Sequence, residues 1–470
     1  MKYVVIKFGG SNLKSREDLF RIIKVLKSYD RPVIVVVSAL YGITDRLNDA
    51  LRRIQKSRKE IKEIIVFLKD THLNIIKQYI DESEKQKELC KRIEVRIEEL
   101  EKKFKGINYF GEVPDFVHDW VLSFGERLSS LLLCSLLNVF GIDATEALPE
   151  DIGLITDGIF NNACIDFEAS IPTVQKTLSE NKTYIIPGFY GVSKEGKVTL
   201  LGRGGSDYSA AAIARCVQAE SLDLWKDVSG FSSVDPQILN NAIPIKKLNY
   251  SEAAELSYFG AKILHPQTVE PLLHHSIPLR IFNINTFSGE LQPVTYIADT
   301  KVITPSIIKS VTYSDDFAIL ELNGPGVGIK PGIMAEVTTI LNEYDINIKS
   351  IITTQTKIKL LLSKSDIDKG YQLAKSLHLI TLDEIKTEDD ISLIAVVGEG
   401  ILNQPGIAAR TFQAVFTRGI NVRLISAGAS DVAIYFIVSK NDKIQAVKAI
   451  HEEFFCNIEK LNIKEEINEI

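Results

Sequence analysis

The sequence predicts an α/β protein, a parallel-sheet αβα sandwich followed by two small units of strand, helix and two strands that resemble each other. Three observations predict it. Apolar, β-branched runs alternate with helical patterns through residues 1–295, the pattern of a sheet covered on both faces. Successive runs end in glycine turns, which sit where ligands sit in such sheets. In the remainder, Phe317–Gly324, Pro331-Gly332 and Ile346-Asn347-Ile348 return as Ile391–Gly398, Pro405-Gly406 and Ile420-Asn421-Val422, an internal repeat at roughly 70-residue spacing.

Taken in order, Tyr3–Phe8 is a strand running into Gly9-Gly10-Ser11-Asn12, with a helical pattern opening at Ser15 or Asp18. Such a turn can set Lys7 and backbone N–H groups against phosphate oxygens, and a lysine merely buried at a strand end fits the same residues. It is no Walker A loop, because the lysine precedes the glycines. Pro32–Val37 is a continuous apolar run ending in the polar turn Ser38–Asp45, as expected of a central parallel strand. Residues 45–110 read as largely helical and charged, with apolar stripes at Ile61, Ile64, Ile65 and Leu68 and at Ile93, Ile97, Leu100 and Phe104; this is a structural element. Phe124-Gly125-Glu126 opens an apolar helix, where Glu126 either takes an ammonium group or complements the helix dipole.

Thr183–Pro187 is another buried run, ending at Gly188-Phe189. The turn Gly202-Arg203-Gly204-Gly205-Ser206-Asp207 then leads into an alanine-rich helix. Its bare backbone and helix N-terminus suit an anion, and Arg203 adds a planar fork for a carboxylate or phosphate. On these residues alone, an Arg203–Asp207 pair is the alternative. Leu222–Gly230 is again strand into turn, and His265, before Pro266, reads as a core or capping histidine.

With 470 residues, 45% hydrophobic and 25% charged, the composition is that of an ordinary globular chain. A net charge of -6 without a basic patch argues against nucleic-acid binding. The apolar runs read as too short for a membrane span. Cys90, Cys134, Cys164, Cys216 and Cys456 are scattered without CxxC spacing, which points to a reducing compartment and no structural zinc. Met1-Lys2-Tyr3 leads straight into a strand, so a cytoplasmic protein without signal peptide is expected.

The blocks KFGG at 7–10, SALYGITD at 38–45, FGERLSS at 124–130, GRGGSDYSA at 202–210, KDVSG at 226–230 and ELSYFGAKILHP at 255–266 stand in the order seen in aspartate kinases. The chain resembles a monofunctional aspartate kinase of the amino acid kinase family over essentially its whole length. The resemblance implies transfer of the ATP γ-phosphoryl group to the side-chain carboxylate of L-aspartate, the first step toward lysine, threonine, methionine and isoleucine. It implies Lys7 and Asp207 as catalytic residues, and an aspartate pocket of Ser38, Thr44, Glu126, Phe189, Arg203, Gly204, Gly205 and Ser206. Arg203 would hold the α-carboxylate and Glu126 the ammonium. ATP, with Mg2+ bound through its phosphates, would meet Lys7, Gly9, Gly10, Ser11, Lys226, Asp227, Ser232, Gln237, Lys262 and Ile263. Here Lys226, Ser232 and Gln237 stand where a threonine, an aromatic and a basic residue are usual, and Ser11-Asn12 replaces Thr-Ser.

The repeated units resemble ACT domains, which implies two ferredoxin-like βαββαβ modules, at 314–388 and 391–460, with strand 306–312 joined to the second. The resemblance implies an effector pocket of Asn323, Gly328, Pro331, Gly332, Asn347, Ile348, Lys349 and Thr353, for lysine or threonine, and pairing of ACT domains in a homodimer or dimer of dimers. Lys349 would repel a cationic effector. No homoserine dehydrogenase region follows Ile470, so a monofunctional chain is expected. Two other readings remain: an amino-acid-sensing regulatory subunit with impaired kinase activity, and a kinase of another small carboxylate such as glutamate.

Overall fold

The computed structural model describes residues 2–14, 16–80, 84–261, 263–273 and 275–456. Ser15, Lys262 and the end of the 391–460 unit lie outside them. The chain divides into two compact units, residues 1–231, 244–254 and 262–301 against residues 232–243, 255–261 and 302–470.

The first unit is built on an eight-stranded sheet. Its strands are β1 (Val4–Phe8), β2 (Ile34–Val37), β3 (Ala144–Glu146), β4 (Thr183–Pro187), β7 (Ser221–Lys226), β8 (Lys247–Leu248), β9 (Leu279–Asn283) and β10 (Thr295–Ile297), in the order β3-β4-β2-β1-β7-β9-β10-β8; β5 (Tyr190–Val192) and β6 (Val198–Leu200) form a separate hairpin. From β3 to β9 every pairing is parallel. Beyond β9, β10 turns back antiparallel on it and pairs in parallel with the edge strand β8. The connection between β9 and β10 holds only a short 3-10 turn, too little for a parallel crossover. Strands β1 and β2 are buried along their full length, which is why they read as unbroken apolar runs.

Helices α1 (Arg16–Lys27), α2 (Ile43–Ile54), α3 (Arg58–Tyr79), α4 (Glu84–Phe110), α5 (Asp115–Leu122) and α6 (Phe124–Val139) follow the first strands. The stripes Ile61, Ile64 and Leu68 of α3 and Ile93, Ile97 and Phe104 of α4 enter one core with α6 and the sheet, each such side chain contributing about 1.5–3 kcal/mol on full burial. Among the described residues one helical stretch, Asp115–Val139, is long and apolar enough to cross a membrane, and 89% of its apolar window is buried inside the unit. It is a core element. The sequence shows no unbroken apolar run there because Asp119, Glu126 and Arg127 interrupt it, each inside the fold.

The second unit holds two four-stranded sheets. Strands β12 (Phe317–Asn323), β13 (Ile348–Thr353), β14 (Lys357–Ser363) and β15 (Glu384–Glu388) pair in the order β13-β14-β12-β15. The other sheet has β11 (Ser310–Ser314), β16 (Ile391–Val397), β17 (Leu424–Ala427) and β18 (Ala433–Ser439), in the order β11-β16-β18-β17. Strand β11 precedes the first module in the chain yet pairs antiparallel with β16 of the second. Residues 232–243 also belong here: Val234, Ile238 and Leu239 pack into the second module's core, and Ser233 Oγ lies 2.9 Å from His451 Nε2.

Candidate functional site in the first unit

Parallel pairing puts the carboxyl ends of β1, β2, β4 and β7 on one edge of the sheet, so the turns after Phe8, Val37, Pro187 and Lys226 gather there. Lys7, Ser38, Thr44, Glu126, Phe189 and Arg203 line one cavity of about 390 Å³, together with Gly10, Ser11 and Gly204 to Asp207. Tyr41, Gly42 and Asp45 line it too; they belong to the same polar turn as Ser38, but nothing in their pattern singled them out.

Two close approaches hold this edge together. A Cβ on Gly125 would come within 2.7 Å of Ala39 Cβ, so α6 can press against the Ser38 turn only through glycine, and Ser129 Oγ donates to Ser38 O at 2.7 Å. Gly204 has φ +75°, and a Cβ there would stand 2.4 Å from His265 Cβ. Histidine 265 therefore packs against the Arg203 turn, a support that its sequence context did not reveal. Phe189 is held at φ +76°, a conformation costing a non-glycine residue about 1–3 kcal/mol. Its N–H donates to Ser209 Oγ at 2.8 Å, and that hydroxyl donates to Gly205 O at 2.7 Å. The Phe189 turn and the start of the helix Gly205–Cys216 are thus locked to each other.

The charges are arranged in depth. Lys7 is 6% exposed and Asp207 7%, and they form an ion pair. The second oxygen of Asp207 accepts from Lys226 Nζ at 2.8 Å. Burial alone would raise the Asp207 carboxyl, but Lys226 and Lys7 beside it hold it well below its ordinary range. Burial pulls the Lys7 ammonium down, and Asp207 opposes that. Arg203 is thus not Asp207's partner. It is exposed at the cavity and makes no ion pair among the described residues. Glu126 is 3% exposed, and its Oε2 has no hydrogen-bond partner among the described residues. Burial pushes its carboxyl up to about 8, against the pull of the Ala39 N–H and of Lys7. A buried carboxylate with a free oxygen facing a cavity is a receptor for a cation.

The residues expected around a nucleotide make contacts of their own. Ser11 Oγ donates to Asp227 Oδ1 at 3.1 Å, and a Cβ on Gly9 would lie 3.3 Å from Lys7 Nζ. Lys226, however, is turned onto Asp207. Ile263 is half-buried in a turn of the first unit. Ser232 and Gln237 fall in the second unit, where Ser232 Oγ donates to Val234 O and the Gln237 N–H to Asp235 Oδ1. No His, Cys, Asp or Glu cluster able to hold a metal ion is found among the described residues.

In the first small module Asn323 ends β12, Gly328, Pro331 and Gly332 lie in the loop before the helix Ile333–Glu343, and Asn347, Ile348, Lys349 and Thr353 lead into and along β13. The loop closes on the β13–β14 hairpin through Gly328 N–H to Gln355 O at 3.2 Å. Lys349 Nζ sits over the Tyr258 ring, 5.0 Å from its centre, and burial pulls its ammonium down.

A glycine-lined cleft at the strand tips of a parallel sheet, with a buried lysine, an exposed arginine and a carboxylate with one free oxygen on its lining, defines an α/β protein with a small-molecule site. Known proteins agree. The amino acid kinase family profile matches residues 2–283, and ACT-domain profiles match 312–373 and 394–454. The chain belongs to the amino acid kinase family, in the arrangement with C-terminal tandem ACT domains. It is 32% identical to the chloroplastic Aspartokinase 1 of Arabidopsis thaliana, over 96% of this chain and 80% of that relative. It superposes on E. coli aspartokinase III in complex with aspartate and ADP (R-state) with a TM-score of 0.82 at 25% identity, covering 97% of this chain and all of that one. For the same enzyme with lysine and aspartate (T-state) the TM-score is 0.77, again at 25% identity and covering 97% of this chain and 100% of that chain.

Proposed function

We propose that the protein transfers the γ-phosphoryl group of ATP to the side-chain carboxylate of L-aspartate, giving 4-phospho-L-aspartate and ADP. The observation that carries this reading is the one cavity that Lys7, Glu126 and Arg203 share. Its groups match a small amino acid: Arg203 for the α-carboxylate, Glu126 for the ammonium, and Lys7 toward the side-chain carboxylate and the phosphoryl oxygens. The bond between the γ-phosphorus and the bridging oxygen breaks as a carboxylate oxygen bonds to phosphorus. The nucleophile is already an anion, so no general base is required; positioning and neutralisation of phosphoryl charge do the catalysis. Asp207 orients Lys7 and keeps it charged. Mg2+ enters with the phosphates. The aspartate and ADP held by the E. coli relative support both substrates.

The ACT pair serves as a regulatory element that takes a free amino acid and works through subunit pairing in a homodimer or larger assembly; lysine bound to the E. coli relative makes it the first effector to try. A cytoplasmic setting fits five free cysteines.

The test is trapping of the acyl phosphate with hydroxylamine, in the presence of ATP, Mg2+ and aspartate. Aspartyl hydroxamate is the expected product, with glutamate a poor substitute. No hydroxamate at saturating ATP, with amino-acid binding intact, overturns the kinase reading in favour of a sensor subunit.

A further inference from the structure

A second cavity, of about 340 Å³, opens elsewhere on the first unit between α4, α5, the first turn of α6 and the β5–β6 hairpin. Phe116, Val117, Trp120 and Val198 make its apolar lining. Two lysines flank it and neither is paired with an acid among the described residues: Lys103 Nζ lies 5.1 Å from the centre of the Trp120 ring and Lys197 Nζ 5.4 Å from that of Phe116. At the inner end Arg127 is nearly buried, with Nη1 on Glu150 Oε1 at 2.7 Å, Nε on Ser123 Oγ at 3.0 Å, and its guanidinium over the Tyr190 ring at 4.6 Å. Glu99 is the remaining charge, so three cations face two carboxylates, one of which Arg127 already occupies. Ammonium groups resting on aromatic faces are poised for an anion that also brings apolar surface.

The walls of this cavity are the backs of the elements that build the catalytic one. Arg127 follows Glu126 on the first turn of α6. Strand β5 follows Phe189, and β6 runs into the Arg203 turn. Asp119 of α5 accepts from Leu200 N–H and Asn161 N–H, both at 2.8 Å, fixing α5 to that strand. Anything that pulls Arg127 from Glu150 or shifts α5 against β6 moves the groups that face the catalytic cavity.

We propose that this cavity binds a small amphipathic carboxylate, its apolar body on Phe116 and Trp120 and its anion at Lys103 and Lys197, and that occupancy changes affinity at the catalytic cavity. A coupling between two such sites is reciprocal. The probe is 3-(4-bromophenyl)propanoate, whose bromine quenches indole fluorescence, used on a full-length Trp225→Phe variant in which Trp120 is the remaining tryptophan. Saturable quenching is expected, weakened roughly tenfold or more in Lys103→Glu/Lys197→Glu and for the neutral amide of the probe. Val198→Phe, which fills the cavity without adding an indole, should abolish it. Absence of saturation, or saturation indifferent to both the charge reversals and the amide, overturns the site. The coupling is read as a shift in aspartate affinity with the probe bound. That arm rests on the aspartate kinase reading, whereas the quenching arm does not, so the two fail separately. An unchanged aspartate affinity with quenching intact overturns the coupling.

Discussion

The molecule contains the same charge pattern twice, a carboxylate between two lysines, in surroundings that give it different meanings. In the first unit Asp207 is bonded to Lys7 and Lys226, with Lys7 and Asp207 buried on the cavity lining and Lys226 half-buried behind them. In the first small module Glu321 is bonded to Lys357 and Lys359, each at 2.9 Å, on a sheet face where the lysines reach solvent. The second triplet follows from strand register, since Glu321 stands opposite Lys359, and water screens it. The first joins Lys7 of β1 to Asp207 and Lys226, and its Lys7–Asp207 pair lies where water hardly enters and an unbalanced charge is costly. Identical chemistry is a solvent-screened detail in one place and a buried ion pair on a cavity wall in the other.

The comparison breaks most severely at the buried triplet. Lys7→Ala should lower kcat about 10²–10³-fold or more while changing aspartate affinity little; steady-state kinetics decide, and a large KM effect with kcat preserved would contradict its assignment to the phosphoryl group. Asp207→Asn strands the buried Lys7 ammonium and should cost roughly 3–5 kcal/mol of stability, measured by denaturant unfolding. Arg203→Ala comes next. Exposed and making no ion pair among the described residues, it should leave stability unchanged and raise the KM for aspartate roughly 10–100-fold.

Glu126 sharpens the contrast through pH. Its folded-state carboxyl is raised from 4.5 to about 8 by burial, so in the empty protein it is protonated near neutrality. The folded form then holds more protons than the unfolded one, and stability from this group is fully present below about pH 4.5 and falls as pH rises toward 8. Glu126→Gln should flatten that decline in thermal melts. When the aspartate ammonium arrives, the carboxyl ionises, so aspartate binding near pH 7 should release a proton. Calorimetry in buffers of different ionisation enthalpy should detect it in the wild type and not in Glu126→Gln.

The smallest effect belongs to the exposed triplet. The Glu321 carboxyl is opposed by its own desolvation but held at about 2 by Lys357 and Lys359. Its contribution is present above the unfolded value and lost as pH falls from about 4.5 through 2. Solvent screening keeps that contribution to about 1 kcal/mol or less. Glu321→Gln should therefore shift only the acid limb of the stability profile, with kcat unaltered.

Much of the cavity was legible in sequence because each wall is a local signal: an apolar run followed at once by Gly9-Gly10, by Ser38, by Gly188-Phe189, or by Gly202 to Asp207. The partners of those groups were not. Nothing local distinguishes Arg203 from Lys7 or Lys226 as the counterion of Asp207, and the structure chose the lysines because β1 and β7 are adjacent in the sheet. Nor does any local signal show that the segment after Phe231 joins the apolar core that Val234 and Ile238 enter.

By itself, then, the sequence determined the periodicities, the glycine turns and the repeated ACT pattern, because hydrophobic spacing and backbone freedom act over a few residues. Tertiary structure alone decided which lysine meets which carboxylate, that Glu126 keeps an oxygen free, and that His265 packs against Gly204. Those outcomes depend on desolvation and strand adjacency, which are properties of residues far apart in the chain brought within bonding distance.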